Sequence, residues 1–225
     1  MPETVQDHPN ALLVVAKRPA AGVTKTRLCP PLSPDQAVAL YEAMLRDTLD
    51  LVRSVRGVQP AVVYLPEEER SYFAALAPDF ELCLQLGASL GHRLDNALTQ
   101  FLQRGYRRVA IMNSDGPTLP ASCLAGAFDA LAHGAEVVLG PSDDGGYYLI
   151  GLTRPAPRLL REVTMSAATV LAETVAIAAQ ECLNVALLPS WYDVDDVTTL
   201  ERLRSELEAA APSVAPHTRR VLQCQ

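Results

Sequence analysis

Short apolar runs alternate with longer segments of helical periodicity along almost the whole 225-residue chain. Apolar strands separated by amphipathic helices are typical of a mainly parallel sheet that is covered by helices on both faces. The pattern therefore predicts an α/β fold of the three-layer α/β/α type. The even composition offers no linker, so residues 1–210 are predicted to form one domain, with 211–225 as a C-terminal tail that lacks a clear apolar face.

Turn and capping signals fix the limits of several elements. Ser33, Pro34 and Gln36 have the spacing of a capping box with proline at the first helical position. The sequence SDDGG joins two apolar runs and predicts an antiparallel hairpin. The predicted strands are 11–16, 60–65, 81–86, 107–112, 136–141, 147–152 and 184–189. The predicted helices are 34–55, 67–76, 90–104, 121–133, 166–181 and 197–210.

Four cationic side chains, Lys17, Arg18, Lys25 and Arg27, follow the first predicted strand in a loop that also contains glycine and proline. Gly22 lets backbone amides approach an oxyanion, Lys25 supplies a point charge, and Arg27 can grip a phosphate through two hydrogen bonds. The spacing matches neither a P-loop nor a dinucleotide fingerprint. A solvated basic surface loop is the alternative, but a position directly after a buried strand favours phosphate binding.

Asp115 comes just after the predicted strand 107–112, at the edge where open α/β sheets bind their ligands. Mg²⁺ and Mn²⁺ prefer hard oxygen ligands and take one or two carboxylates together with substrate phosphates. Asp115 is therefore a candidate metal ligand that needs a partner from elsewhere in the chain. The alternative is that Asp115 only caps the turn made by Gly116 and Pro117.

Three carboxylates crowd together before the last predicted helix, at Asp193, Asp195 and Asp196. Asp196 is a natural N-cap, with Thr199 three residues later. Asp193 and Asp195 then remain without a structural role, and repulsion between neighbouring carboxylates is usually relieved by a cation. We therefore predict that both join Asp115 on the metal, although acidic loops before helices are common.

Two further segments are candidate ligand contacts. The turn after strand 81–86 could place a base or ribose against its glycines and a phosphate near an arginine, or it could be an ordinary helix start. Its candidate residues are Gln85, Gly87 and Arg93. The predicted hairpin could also hold an acceptor or a sugar through one carboxylate and two glycine amides. Those candidate residues are Asp144, Gly145 and Gly146.

Charge and composition exclude several classes of partner. The net charge of −7 argues against a nucleic-acid surface, which needs a broad basic field. The first ten residues lack a basic segment followed by an apolar one, and no apolar run approaches the length of a membrane span, so a cytoplasmic protein is expected. The five cysteines have no paired spacing and are predicted to be free thiols.

Taken in order, five segments resemble bacterial transferases of the GT-A type that are related to the nucleotide-diphospho-sugar transferases. The segments are AKRPAAGVTKTRL, LQLGASLGHRL, NSDGPTL, GPSDDGGYYLIGL and LPSWYDVDDVTTLERL. Members of this family are usually labelled as uncharacterised or as glycosyltransferases, including a group linked to arsenosugar biosynthesis. The sequence is also similar to the guanylyltransferases that act on phospholactate and on molybdopterin.

The resemblance implies a GT-A fold, a nucleotide-phosphate loop and a metal site. The implied phosphate-loop residues are Lys17, Gly22, Lys25 and Arg27, and the implied metal ligands are Asp115, Asp193 and Asp195. We expect Mg²⁺ or Mn²⁺, a nucleoside triphosphate or nucleotide sugar as donor, and a small-molecule acceptor, with Lys25, Arg27 and Asp115 as the catalytic residues. Glycosyl transfer and nucleotidyl transfer both fit, and a non-catalytic nucleotide sensor of the same fold is the alternative from another class.

Overall fold

The computed structural model describes residues 9–224. The expectation about a targeting signal concerns the N-terminal segment 1–8, which, like Gln225, lies outside the described residues. The strands are β1 (Asn10–Lys17), β2 (Val58–Leu65), β3 (Glu81–Leu84), β4 (Arg108–Met112), β5 (Val137–Pro141), β6 (Tyr147–Leu152) and β7 (Val185–Leu187). The helices are α1 (Pro34–Ser54), α2 (Arg70–Leu76), α3 (Leu90–Gln103), α4 (Ala121–Ala132), α5 (Arg158–Arg161), α6 (Val170–Gln180), α7 (Val197–Ala209) and α8 (Pro216–Gln223).

The sheet has the order β3-β2-β1-β4-β6-β5-β7, and β1 lies between two parallel neighbours. Strand β6 pairs antiparallel with both β4 and β5, which confirms the predicted hairpin. Strand β7 then pairs parallel with β5 at the edge. The strand order reverses between β1 and β4, so a crevice is expected at the carboxyl ends of these two strands.

Two apolar layers pack on the two faces of the sheet. One layer joins the sheet to α1, α2 and α4, and the other joins it to α3, α5 and α6. Because both faces are covered, strands such as β1 read as continuous apolar runs rather than alternating ones. The predicted three-layer α/β/α fold with a mainly parallel sheet is confirmed.

A third apolar cluster fastens the loop after β1. Leu28 and Leu32 of this loop are buried against α1 and against Leu200 and Leu203 of α7. The predicted capping box of Ser33 and Gln36 opens α1 as expected, with both reciprocal hydrogen bonds present. The cationic loop is thus anchored at its far end by buried leucines.

The segment 211–225, predicted to be a tail, instead contains α8, which packs on α1. The few apolar residues of this segment show no clear face in the sequence, yet Ala215, Val221 and Leu222 pack against the third apolar cluster, and hydrogen bonds add to the docking. Asp47 of α1 is 5% exposed and accepts from the backbone amides of His217 (3.0 Å) and Thr218 (2.8 Å) at the start of α8. The single domain over 1–210 stays a prediction.

Other elements differ from the sequence expectation at their ends. The helix predicted at 166–181 begins at Val170, and the preceding segment is a loop in which Ser166 has a φ of 65°. The short helix α5 was not predicted. Within residues 9–224, every helix is too short or too polar to cross a lipid bilayer.

Asp47→Ala is expected to lower the free energy of unfolding by about 1–2 kcal/mol, because two amides at the start of α8 lose their acceptor. Urea denaturation followed by circular dichroism measures this. Asp50→Ala, three residues along the same helix, removes solvent-exposed ion pairs to Arg53 and His217 and should change stability by less than about 0.5 kcal/mol. Equal losses in the two variants would contradict a capping role for Asp47.

Candidate functional site

A cavity of about 500 Å³ opens at the carboxyl ends of β1 and β4, where the strand order reverses. Its walls come from the loop after β1, the loop after β4, the β5–β6 hairpin and the segment before α6. This is the position at which open α/β sheets bind their ligands. The fold therefore brings loops that are far apart in the sequence to one site.

Lys25 joins two of the predicted carboxylates. Its Nζ lies 2.5 Å from Oδ1 of Asp115 and 2.6 Å from Oδ1 of Asp195. The Lys25 side chain is only 7% exposed, and its ammonium also lies 5.7 Å from the centre of the Tyr41 ring. Burial alone would lower the pKa of Lys25, but the two carboxylates outweigh burial and the pKa is raised, so the ammonium stays charged.

Local backbone geometry aims Lys25 at these partners. Gly22 has a φ of 73°, and the turn around it is closed by Val23 and Thr24 amides that donate to the carbonyl of Ala20. Lys25 itself has a left-handed backbone, with φ 49° and ψ 41°, and precedes a 3₁₀ turn. A left-handed backbone is uncommon for a residue with a Cβ, so tertiary contacts must hold Lys25 there.

A backbone hydrogen bond brings the two acidic loops together. The amide of Val194 donates to the carbonyl of Asp115 (2.9 Å), which places Asp193 and Asp195 beside the loop after β4. Asp196 caps α7 through a capping box with Thr199, as the sequence predicts. Because this cap fixes the first residue of α7, Asp195 lies just before the helix, where it contacts Lys25.

Asp193 is held by two neutral donors. Its Oδ1 accepts from Nδ2 of Asn113 (2.9 Å), and its Oδ2 accepts from Oγ of Ser142 (3.1 Å). Burial, followed by the nearby charge of Asp115, raises the pKa of Asp193 to about 6, although the Asn113 hydrogen bond opposes the shift. Asp193 thus links the loop after β4 to the hairpin, and its role as a metal ligand stays a prediction.

Several predicted site residues line the cavity: Lys17, Lys25, Asp115, Asp144, Gly146 and Asp193. Asp195 is connected to the cavity through Lys25. Gly145, between two lining residues, has a φ of 87°, and a Cβ there would lie 2.1 Å from the carbonyl oxygen of Ala168. Glycine is therefore required where the hairpin packs against the segment before α6.

Other predicted residues lie outside the cavity lining. Arg27 is 71% exposed and pairs with Asp196 at 3.4 Å, on the outer side of the loop. Gln85 is buried, donates to the carbonyl of Val63 (3.0 Å) and accepts from Nε of Arg93 (3.1 Å). Gly87 has a φ of 142° beside the start of α3. The nucleotide contacts assigned to these residues stay predictions.

Sequence reasoning missed part of the cavity wall. Tyr41, in the middle of α1, hydrogen-bonds Ser114 (2.9 Å) and lies beneath Lys25. Leu90, Leu94, Met165 and Val170 form an apolar side. Their spacing resembles that of ordinary core residues, so no sequence signal separated them from the core.

The predicted metal ligands are near one another without forming a closed site. Among the described residues, no group of three or more His, Cys, Asp or Glu side chains is arranged to hold a metal ion. Asp115 and Asp195 instead share the Lys25 ammonium, whereas Asp193, the other member of the pair for which the sequence predicted repulsion, accepts from neutral donors.

Three comparisons relate the chain to known proteins. The family described as "Uncharacterized protein conserved in bacteria (DUF2064)" matches residues 48–167. The 2-phospho-L-lactate guanylyltransferase of Methanothermobacter thermautotrophicus is 31% identical over 183 residues, which cover 80% of this chain and 76% of the relative.

Solved structures match over nearly the whole chain. A protein of Desulfovibrio desulfuricans G20 assigned as a nucleotide-diphospho-sugar transferase superposes with a TM-score of 0.88 and 30% identity, covering 96% of this chain and 94% of the other. A 4-diphosphocytidyl-2C-methyl-D-erythritol synthase superposes with a TM-score of 0.59 and 14% identity, covering 88% and 99% of the two chains. The second similarity shows a shared fold.

Asp193→Asn is expected to raise the free energy of unfolding by about 1–3 kcal/mol at pH 8, measured by urea denaturation with EDTA present. The folded-state pKa of about 6 lies above the ordinary value of 3.8. The neutral carboxyl of Asp193 therefore makes its full contribution to stability below pH 3.8, and this contribution is lost as the pH rises through 6. The gain should therefore shrink at pH 5.

Asp144→Asn is the matched control, because Asp144 lies in the same cavity wall but is exposed. It should leave the pH dependence of stability as in the wild type. A gain for Asp193→Asn that is equal at pH 5 and pH 8 would contradict the raised pKa.

Proposed function

The chain belongs to the DUF2064 family and to the superfamily of GT-A-type nucleotide-diphospho-sugar transferases, and we propose that this transferase is a metal-dependent nucleotidyltransferase. It would transfer a nucleoside monophosphate from a nucleoside triphosphate to a small-molecule acceptor. The observation that carries the proposal is the Lys25 ammonium between Asp115 and Asp195 at the wall of the cavity.

The donor chemistry of the site suits Mg²⁺ or Mn²⁺. Asp115 and Asp195 each engage Lys25 through Oδ1, and both are hard oxygen ligands. Magnesium is usually held by one or two carboxylates, with the remaining positions taken by water and substrate phosphates. Two carboxylates therefore suffice for an ion that arrives with a nucleotide, even though the described residues contain no three-ligand cluster.

When bound, the ion would neutralise phosphate charge and polarise the reacting phosphorus. The chain would supply the rest of the electrostatic field. Lys17, at the end of β1, and Lys25, in the loop after it, line the cavity and would contact the phosphates. The hairpin residues Asp144 and Gly146 line the opposite wall and would orient the acceptor.

In this reaction an ionised phosphate oxygen of the acceptor attacks the α-phosphorus, the bond from that phosphorus to the oxygen bridging to the β-phosphorus breaks, and pyrophosphate leaves. Charge accumulates on the leaving pyrophosphate, which is where a cation on the cavity wall is most useful. The name of the 31% identical relative makes guanine the first base to test.

Glycosyl transfer is the second candidate, and the ion pairs of Arg18 and Arg27 favour it. Arg18 pairs with Glu69 (2.9 Å), and Arg27 pairs with Asp196. Arg27 lies outside the cavity lining, and Arg18 lines it with its guanidinium engaged by Glu69, so Lys17 and Lys25 would be the main cations toward a bound donor. A nucleoside diphosphate sugar carries less charge than a triphosphate and needs fewer cations.

Asp115→Asn is expected to fold normally and to lose at least about tenfold in Mn²⁺-dependent affinity for GTP, because the amide keeps the shape of the carboxylate and removes its charge. Isothermal titration with and without Mn²⁺ measures this. Asp144→Asn, in the opposite wall, should retain the metal dependence. Wild-type metal dependence in Asp115→Asn would remove Asp115 from the proposed site.

Matched titrations with GTP and GDP-mannose in Mn²⁺ separate the two chemistries. GTP is expected to bind at least as tightly as the sugar donor, since its additional phosphate meets cations that an uncharged sugar would not use. Repeating the pair with the other bases and their nucleotide sugars extends the comparison. A clear preference for the sugar donors would reject nucleotidyl transfer and favour glycosyl transfer.

A further inference from the structure

Lys25 has an unusual position for a residue that is expected to bind phosphate. Its ammonium is nearly enclosed by Asp115, Asp195 and the Tyr41 ring. Each carboxylate uses Oδ1 for this contact, at 2.5 Å and 2.6 Å. The ammonium thus lies between the two carboxylates that would also hold a divalent cation.

Two cations cannot share these oxygens without strong repulsion, because Coulomb energy rises as the separation falls and burial reduces screening. Mg²⁺ binds oxygen ligands at about 2.0–2.1 Å, so an ion on Oδ1 of Asp115 would lie within a few ångströms of the present ammonium. Metal binding at these two oxygens therefore requires Lys25 to leave, and leaving is favourable only if the ammonium finds other anions.

The cavity can supply a destination when a nucleotide is bound. Lys25 is itself a lining residue, and Lys17 and Thr24 beside it also face the cavity. The preceding residues Ala21, Gly22 and Val23 are exposed, with Val23 at 75%, so the turn before Lys25 is not packed into the core. Phosphate oxygens would replace the carboxylates as partners of the ammonium.

We propose that Lys25 is a tethered cation that occupies the carboxylate pair in the resting protein and thereby makes metal binding depend on nucleotide. The inference rests on the proposed function for the identity of the incoming anion. It deepens that function, because the site would bind a metal with its nucleotide and discriminate against free metal. Lys25 would contact carboxylates in one state and phosphate in the other.

The test is a titration with Mn²⁺ alone, at pH 8 and without nucleotide or phosphate, in which the electron paramagnetic resonance signal of free Mn²⁺ is followed. Lys25→Gln keeps a hydrogen-bond donor beside the carboxylates and removes the charge, and Lys25→Met removes both. Each is expected to bind Mn²⁺ at least about tenfold more tightly than the wild type. Lys25→Arg, which keeps the charge, should resemble the wild type.

Lys17→Gln is the matched control, because it removes a cation from the same cavity wall. Among the ion pairs of the described residues, Lys17 contacts neither Asp115 nor Asp195. Its Mn²⁺ affinity should change by less than about twofold. An equal gain in Lys17→Gln would mean a general charge effect and would overturn the proposal. Unchanged or undetectable Mn²⁺ binding in both Lys25→Gln and Lys25→Met would overturn it as well.

A second titration uses GDP in the presence of Mn²⁺. Lys25→Gln should bind GDP about tenfold more weakly than the wild type, although it binds Mn²⁺ alone more tightly. A purely structural role for Lys25 would not change the two affinities in opposite directions. If Lys25→Gln binds GDP as the wild type does, the exchange of partners is wrong. If the wild type binds no nucleotide at all, the proposed function fails, whereas the titration with Mn²⁺ alone still decides whether Lys25 competes with the metal.

Discussion

The position of β1 between two parallel neighbours is the constraint on which the rest of the structure depends. Val14 is fully buried and is paired with Val62 of β2 on one side and with Met112 of β4 on the other, so the chain leaves β1 at the carboxyl edge of the sheet between these two neighbours. Because strand order reverses there, the loops after β1 and β4 share one crevice. The cationic and acidic loops meet for this reason, and the buried leucines of the third apolar cluster keep the first loop in place.

Electrostatics where the two acidic loops meet follow from three neighbouring aspartates, Asp115, Asp193 and Asp195, and one ammonium, that of Lys25. Asp115 and Asp195 share one ammonium, while Asp193 is left with neutral donors and a raised pKa. In a partly buried site such an imbalance is costly unless a further cation or a proton compensates it. The proposed magnesium nucleotide would bring such a cation together with its phosphates.

The fold was largely accessible from the sequence because its signals are local. Apolar runs, the capping box at Ser33 and the hairpin signal at SDDGG all act within a few residues, and each predicted element reappears with ends shifted by a few positions. The docking of α8 was not accessible, because it depends on a buried Asp47 that is distant in the sequence from the amides it caps. The resemblance to GT-A-type transferases rested on ordered motifs and is confirmed by the family and structural similarities.

The sequence by itself determined which side chains are available at the strand ends: the cations after β1, Asp115 after β4 and the acidic run before α7. Only the tertiary structure decided how they are paired. Lys25 turns inward to Asp115 and Asp195, across 170 residues in the second case, whereas Arg27, two residues later, turns outward to Asp196. The physical reason is that the sequence position of a charged side chain does not indicate which opposite charge it will contact. The strand order and the path of each loop decide which opposite charges come within a few ångströms, and both the order and the paths depend on the packing of the whole chain.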